Sequence, residues 1–339
     1  LLFTDQLFCF QSKIYIIIYN AYRVHFTSHK RRMNLRFPPF NPYIAVVIGV
    51  IAISTSAIFV KLAGDASAGI IAFYRMFFAV VLMLPFVFFK YKHELKAVTK
   101  RDWLLASLSG IFLALHFILW FESLNFTSVA SSVVLVSLQP VFAFIGTYIF
   151  FGERFSVAAI ISMIITIGGS VIIGWGDFQI SGLALLGDIL ALLGAVAATG
   201  YFLLGQRLRR SLSLTTYTFI VYGISTVILF IYNVVLNSNF ISYSLDIWGL
   251  FLALAIVPTF LGHSLFNWAL KWLSTATISM AIVFEPIGAS ILAYFILGEA
   301  ITYTQWLGGT IIIFGLFLFI MSTTRKPKVT ISKSRHMSE

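Results

Sequence analysis

A carboxylate stands in the middle of an apolar run. Residues 279–299 read SMAIVFEPIGASILAYFILGE, with Pro286 directly after Glu285. An uncompensated charge at bilayer depth costs about 2.5–3.5 kcal/mol even on an insertion scale. Glu285 must therefore be protonated, paired or in contact with a wet cavity. It is a candidate for proton or substrate contact; the alternative is a neutral carboxyl hydrogen-bonded across a helix interface. Pro286 has no N–H, so the carbonyl of Ile282 loses its donor and a bend is expected beside the carboxyl. The same pattern occurs earlier, where residues 132–153 read SVVLVSLQPVFAFIGTYIFFGE. Gln139-Pro140 stands in the place of Glu285-Pro286, and Gly152-Glu153 in that of Gly298-Glu299, each at an offset of 146. Gln139 offers donors and an acceptor without charge, for a ligand or for a neighbouring helix.

Other polar groups fall at spacings that share a helix face. His116 and Trp120 are four apart, as are His263 and Asn267. Two such stripes, placed almost symmetrically, fit the walls of a central cavity. Arg75, next to Tyr74, lies inside another apolar run and cannot shed its proton. It requires an acceptor or water, through an anion contact, a structural pair or snorkelling. Asp188, at a helix start, reads as structural. The one cysteine, Cys9, excludes a disulfide framework and a cysteine metal site. His93-Glu94 lacks HExxH spacing, so no metal or other cofactor is expected.

The elements that carry these groups must cross a membrane. Of 339 residues, 60% are apolar and 10% charged, with a mean hydropathy of +0.96. Soluble domains carry about 25% charge, so lipid has to serve as solvent. The net charge of +11 sits in short loops and tails, which argues against nucleic acid as a partner. Ten segments are long enough to span, near 43–62, 68–89, 103–121, 127–150, 155–175, 184–205, 215–236, 247–269, 275–297 and 303–321. Unsatisfied backbone is not tolerated in hydrocarbon, so these are helices, and an all-α integral membrane protein is expected.

Lysine and arginine set the orientation. With the N-terminus in the cytoplasm, the inner loops hold Lys90, Lys92, Lys96, Lys100, Arg101, Arg154, Arg207, Arg209, Arg210 and Lys271. The outer loops hold Asp65, Glu122, Asp177, Asp246 and Glu299, with Lys61 at the edge of the first span. Both termini are then cytoplasmic. At the offset of 146, Lys61 also meets Arg207 and Gly169 meets Gly315. Five spans per copy is an odd number, so the second copy enters the membrane inverted. Inverted repeats meeting at a midplane site are a common build for secondary transporters. Small residues at Gly168-Gly169, Gly308-Gly309 and Gly315 permit close helix packing.

The organisation expected is residues 43–175 and 184–321 as the two repeats, flanked by a stretch over 1–42 and a basic cytoplasmic tail over 322–339. Translation starting at Met33 would make 1–32 a non-native extension; a weak amphipathic or targeting segment is the other reading.

The chain resembles the EamA family of the drug/metabolite transporter superfamily. The first copy carries Phe73-Tyr74-Arg75, then Thr127-Ser128-Val129-Ala130 leading through Leu138-Gln139-Pro140 to Phe151-Gly152-Glu153-Arg154. The second carries Gly187-Asp188, Tyr201-Phe202, Trp268-Ala269-Leu270-Lys271, Phe284-Glu285-Pro286, Leu297-Gly298-Glu299 and Gln305-Trp306-Leu307-Gly308. Where the family often has a proline ahead of the arginine, Ala66-Ser67-Ala68 stands here. The resemblance implies a ten-helix exporter or permease of small metabolites, often amino acids, in a bacterial cytoplasmic membrane. A monomer or a homodimer is compatible with it. On this reading Glu285, Gln139, His116, Trp120, His263, Asn267, Tyr74 and Arg75 contact substrate, and Glu285 is the candidate for proton coupling. A nucleotide-sugar or sugar-phosphate carrier would need more buried basic residues. A channel or membrane enzyme is the rival of another class, and the sequence shows no catalytic constellation for the latter.

Overall fold

A computed structural model describes residues 38–127, 129–175 and 183–324. The proposed start at Met33, the stretch before it, Cys9, Asp177 and the basic tail from Arg325 lie outside the described residues. The described residues form ten helices of membrane-spanning length and apolarity. They are α1 (Pro42–Leu62), α2 (Ala68–Ala97), α3 (Lys100–Ser123), α4 (Ser131–Phe151), α5 (Val157–Gly174), α6 (Leu183–Leu208), α7 (Leu214–Val235), α8 (Leu245–Ala269), α9 (Thr275–Leu297) and α10 (Tyr303–Thr323). Large apolar side chains such as Phe89, Phe150, Ile164 and Val235 stand on the exterior, as a lipid-facing surface requires. The protein is a multi-pass membrane protein.

Local chemistry starts and stops these helices. Side chains of Asn41, Thr99, Ser156, Ser213 and Ser274 accept a backbone N–H in the first turns of α1, α3, α5, α7 and α9. Pro42 follows the first of these caps, where its missing N–H costs nothing. α4 and α9 both end on a left-handed glycine, Gly152 at φ 67° and Gly298 at φ 70°.

One boundary differs from the sequence expectation. α2 runs on through the charged stretch to Ala97, where a loop was expected from residue 90. Pro85 removes a donor inside it, and wider turns over Val87–Tyr91 absorb the defect so that the helix continues. Glu94, on this extension, accepts the backbone N–H of Ser213 at 2.7 Å and ties α2 to the start of α7.

Four helices are interrupted where they meet. α1 breaks at Thr55, α4 between Val136 and Gln139, and α9 between Ile282 and Glu285. α8 widens over Ala255–Ser264, around Pro258, and there Thr259 Oγ1 donates to the Leu254 carbonyl at 2.8 Å. The breaks in α4 and α9 sit just before Pro140 and Pro286, each of which lies in the first turn of the segment that follows.

The helix pairing exchanges under a swap of the two halves. α1 packs on α8 as α6 packs on α3, and α9 on α1 as α4 on α6. α2 pairs with α7, α4 with α9, and α5 with α10. The α5–α10 contact is the tightest of these. A Cβ on Gly169 would stand 2.7 Å from the Gly308 carbonyl oxygen, and one on Gly315 would stand 2.9 Å from the backbone nitrogen of Thr166.

Candidate functional site

The interrupted parts of α1, α4, α8 and α9 surround one small cavity, which α2, α3 and α6 complete. Its volume is about 30 Å³, room for about two waters. Arg75, His116, Trp120, Gln139, His263 and Glu285 all line it, with Ser56 from α1 and an apolar remainder that includes Phe202 and Phe266. Six of the eight side chains nominated by the sequence therefore meet around one space.

Arg75 is the anchor. It is fully buried, its Nε donates to Thr259 Oγ1 and its Nη1 to Ser56 Oγ, both at 2.9 Å. The guanidinium carbon lies 4.3 Å from the centre of the Phe117 ring. Its Nη2 has no partner. His116 is held by Nδ1 against the Gly194 carbonyl at 3.0 Å and stacks on Trp120, the rings 5.6 Å apart and 19° from parallel. The His263 ring centre is 6.3 Å from that of His116. Trp120 Nε1, Gln139 Nε2 and His263 Nδ1 are buried without a hydrogen-bond partner.

Two nominated residues lie elsewhere. Tyr74 turns away from the cavity, donates to the Phe240 carbonyl at 2.7 Å and stacks on Phe251. Neighbours on a helix point about 100° apart, so Tyr74 cannot share the face of Arg75. Asn267 lies a turn beyond the cavity, where its amide donates to the hydroxyl of Tyr201. Tyr201 belongs to a buried polar cluster in which Ser109 Oγ is 2.8 Å from the Tyr217 hydroxyl and Tyr222 is 2.9 Å from Ser264. Arg209, expected among the loop charges, is buried beneath this cluster and donates by Nε to the Asn267 carbonyl at 3.0 Å. Burial pulls it down to about 10, against the pull of Tyr217 and Glu94, so it is still a cation at neutral pH.

Ser56, Thr259 and Phe117, which hold Arg75, were not nominated from the sequence. The run Ser54-Thr55-Ser56 inside an otherwise apolar span was the available signal for the first. Asp188, read as structural, accepts from Thr127 Oγ1 and Ser131 Oγ at 2.8 Å each and so joins α6 to the start of α4.

Each end of the bundle carries a bridge built on one of the two Gly-Glu pairs. At one end Glu299 forms an ion pair with Lys61 of α1. At the other, Glu153 accepts from Gln206 Nε2 of α6 at 2.9 Å, and Gln206 Oε1 accepts the backbone N–H of Thr275 at 2.6 Å. Burial pushes the Glu153 carboxyl up, opposed by hydrogen bonds from Gln206 and Ser274 and by the charge of Arg210. The Lys61 and Glu299 side chains are about half exposed, at 46% and 51%. Pairs of this kind contribute about 0–1 kcal/mol. Lys61→Gln is accordingly expected to leave the melting temperature in detergent within a few degrees of the parent; a large loss would show that this contact is structural.

A family model described as the EamA-like transporter family matches the chain twice, over residues 41–175 and 185–321. This chain belongs to the EamA-like transporter family. It is thereby a membrane transporter of the drug/metabolite transporter superfamily. An uncharacterized transporter of Archaeoglobus fulgidus is 24% identical over 274 residues, covering 81% of this chain and 94% of that protein. The uncharacterized transporter YxxF of Bacillus subtilis is 29% identical over 234 residues, covering 68% of this chain and 74% of its own length. A crystal structure superposes with a TM-score of 0.69 over 83% of this chain and 97% of the other, at 14% identity, which is a likeness of fold. Within this EamA-like transporter, the cavity shared by both halves is the candidate site.

Proposed function

We propose that this EamA-like transporter is a secondary carrier that exports or permeates small metabolites, amino acids among them, across the cell membrane by alternating access. One observation carries the reading: buried polar side chains without partners line one cavity bounded by helices of both halves. Such groups cost free energy unless something binds them, and a carrier is built to supply that something in turn from either side. The two halves are inverted copies with the N- and C-termini in the cytoplasm, a reading that the bias of lysine and arginine among the loops supports. The exchange-symmetric helix pairing supports the repeat. The matched breaks in α4 and α9 give each copy a hinge at the cavity. Rocking would open the Glu299 bridge while the Glu153 bridge stays shut, and then the reverse. Glu285 takes and releases the coupled proton. The carrier acts as a monomer or a homodimer.

Reconstitution in liposomes tests this directly. Flux of a preloaded substrate is expected to rise severalfold under a pH gradient, and Glu285→Gln is expected to remove that rise while exchange at equal pH persists. Flux indifferent to both the gradient and the substitution would sink proton coupling. Single-channel currents in planar bilayers would sink the carrier reading itself. A nucleotide-sugar type of substrate is less well supported, because Arg75 is the one lysine or arginine among the described residues that line the cavity.

A further inference from the structure

We infer that the cavity, once rocking widens it beyond its present room for about two waters, takes an apolar carboxylate, bound to Arg75 together with one proton on Glu285, so that anion and proton travel as a neutral pair. The inference rests on the reading of this cavity as the transport site, and it names the substrate class.

Arg75 is a buried cation that forms no ion pair within 4 Å among the described residues. Arg75 is 0% exposed, and its bonds to Ser56 and Thr259 are to neutral hydroxyls. Among the described residues the ion pair within 4 Å is Lys61–Glu299, far from it in role and place. A buried guanidinium without an anion is expensive, and here its free Nη2 belongs to a side chain that lines the cavity. Two further donors without partners, Trp120 Nε1 and Gln139 Nε2, belong to the same lining. A carboxylate is acceptor-only and offers about four lone-pair sites, which suits three donors without partners on one lining. The rest of the lining, including Ile53, Val136, Phe202, Phe266 and Ile282, favours an apolar body.

Glu285 decides when that anion is held. Arg75 and Glu285 line one cavity without pairing. With Glu285 ionised the site has no net charge and already contains a carboxylate that competes for Arg75. With Glu285 protonated the site is +1 and attracts an anion. The step is a proton binding to one carboxylate oxygen of Glu285 and an anion binding to Arg75, and both leave on the opposite side. The other titratable groups facing this space are His116 of α3 and His263 of α8; α1, α4 and α6 present Ser56, Gln139, Ala198 and Phe202, none of which is charged. Tyr201 and Tyr222 stand behind them.

Three probes of matched shape separate the possibilities: benzoate, benzamide and benzylamine. Binding is followed calorimetrically on the full chain in lipid nanodiscs, between about pH 5.5 and 8, where benzoate remains ionised. Benzoate is expected to bind and the other two to bind at least tenfold more weakly. Its affinity is expected to fall about tenfold per pH unit above the point where Glu285 ionises, the slope of one linked proton. Glu285→Gln should bind benzoate with the acid-form affinity and no pH slope. Arg75→Gln should lose at least tenfold; if that variant does not fold, Trp120→Phe removes one donor at nearly constant shape and should lose severalfold.

Preference for benzylamine or benzamide overturns the inference. So does benzoate binding that tightens as pH rises, or a pH slope that survives Glu285→Gln and thus belongs to a histidine. Benzoate binding with the expected slope but no benzoate flux in liposomes would support the anion site and sink the carrier reading alone. Flux of a neutral or cationic solute without benzoate binding would do the reverse.

Discussion

Arg75→Leu is expected to lower substrate flux in liposomes by about ten- to a hundredfold while the protein still folds. The size follows from what the guanidinium contributes. A hydrogen bond to a charged group is worth about 1.5–3 kcal/mol, and every 1.4 kcal/mol is tenfold in affinity. Stability responds less, for a reason specific to this side chain. Two bonds, to Ser56 and Thr259, are lost, but so is the cost of holding an unpaired cation out of water. Thr259 keeps its bond to the Leu254 carbonyl, so it is not orphaned. The opposing terms should leave a net change of about 2 kcal/mol or less. Flux and melting temperature measured on one preparation check both halves of the statement. Unfolding with no separable effect on flux would assign Arg75 to structure.

Gly308→Leu is the substitution expected to cost most in folding. A Cβ on Gly169 would meet the Gly308 carbonyl at 2.7 Å, and one on Gly308 would collide with the Gly169 carbonyl in turn. Both obstacles are backbone, so no rotamer change relieves them. α5 and α10 would have to separate along the contact that holds them, and overpacking of this kind costs about 1–3 kcal/mol or more. A loss of monodisperse protein in detergent is expected. Gly168→Leu is the matched control, because a Cβ there meets nothing within 4 Å. Equal behaviour of the two variants would contradict the packing account.

Much of this molecule is legible in its sequence, and the limits have physical causes. Lipid has no hydrogen bonds to offer, so ten apolar runs could only be helices, and the described residues form ten. Glu285 and Arg75 stood out because a charge in such a run is costly. His116 and Trp120 face one way because four residues return to the same side of a regular helix. The same rule misplaced Asn267. The wider turns over Ala255–Ser264 interrupt the regular four-residue return along α8, and of this pair His263 lines the cavity and Asn267 does not. Ser56 and Thr259 gave little signal, since a hydroxyl in a membrane helix can satisfy itself on its own backbone. That they hold Arg75 is visible only once α1, α2 and α8 are brought together.

The two bridges at the ends of the bundle are of different physical kinds. One is a half-exposed ion pair and the other a hydrogen-bonded relay from Glu153 through the buried Gln206 to Thr275. Dissolved ions weaken the first and barely reach the second. Ionic strength is therefore a one-sided lever on the two bridges. Raising it weakens the Lys61–Glu299 pair by at most about 1 kcal/mol, which under the rocking proposed above is a shift of about fivefold in how often that side stands open. The composition of the medium bathing that face becomes, in effect, a modest control on which way the protein rests.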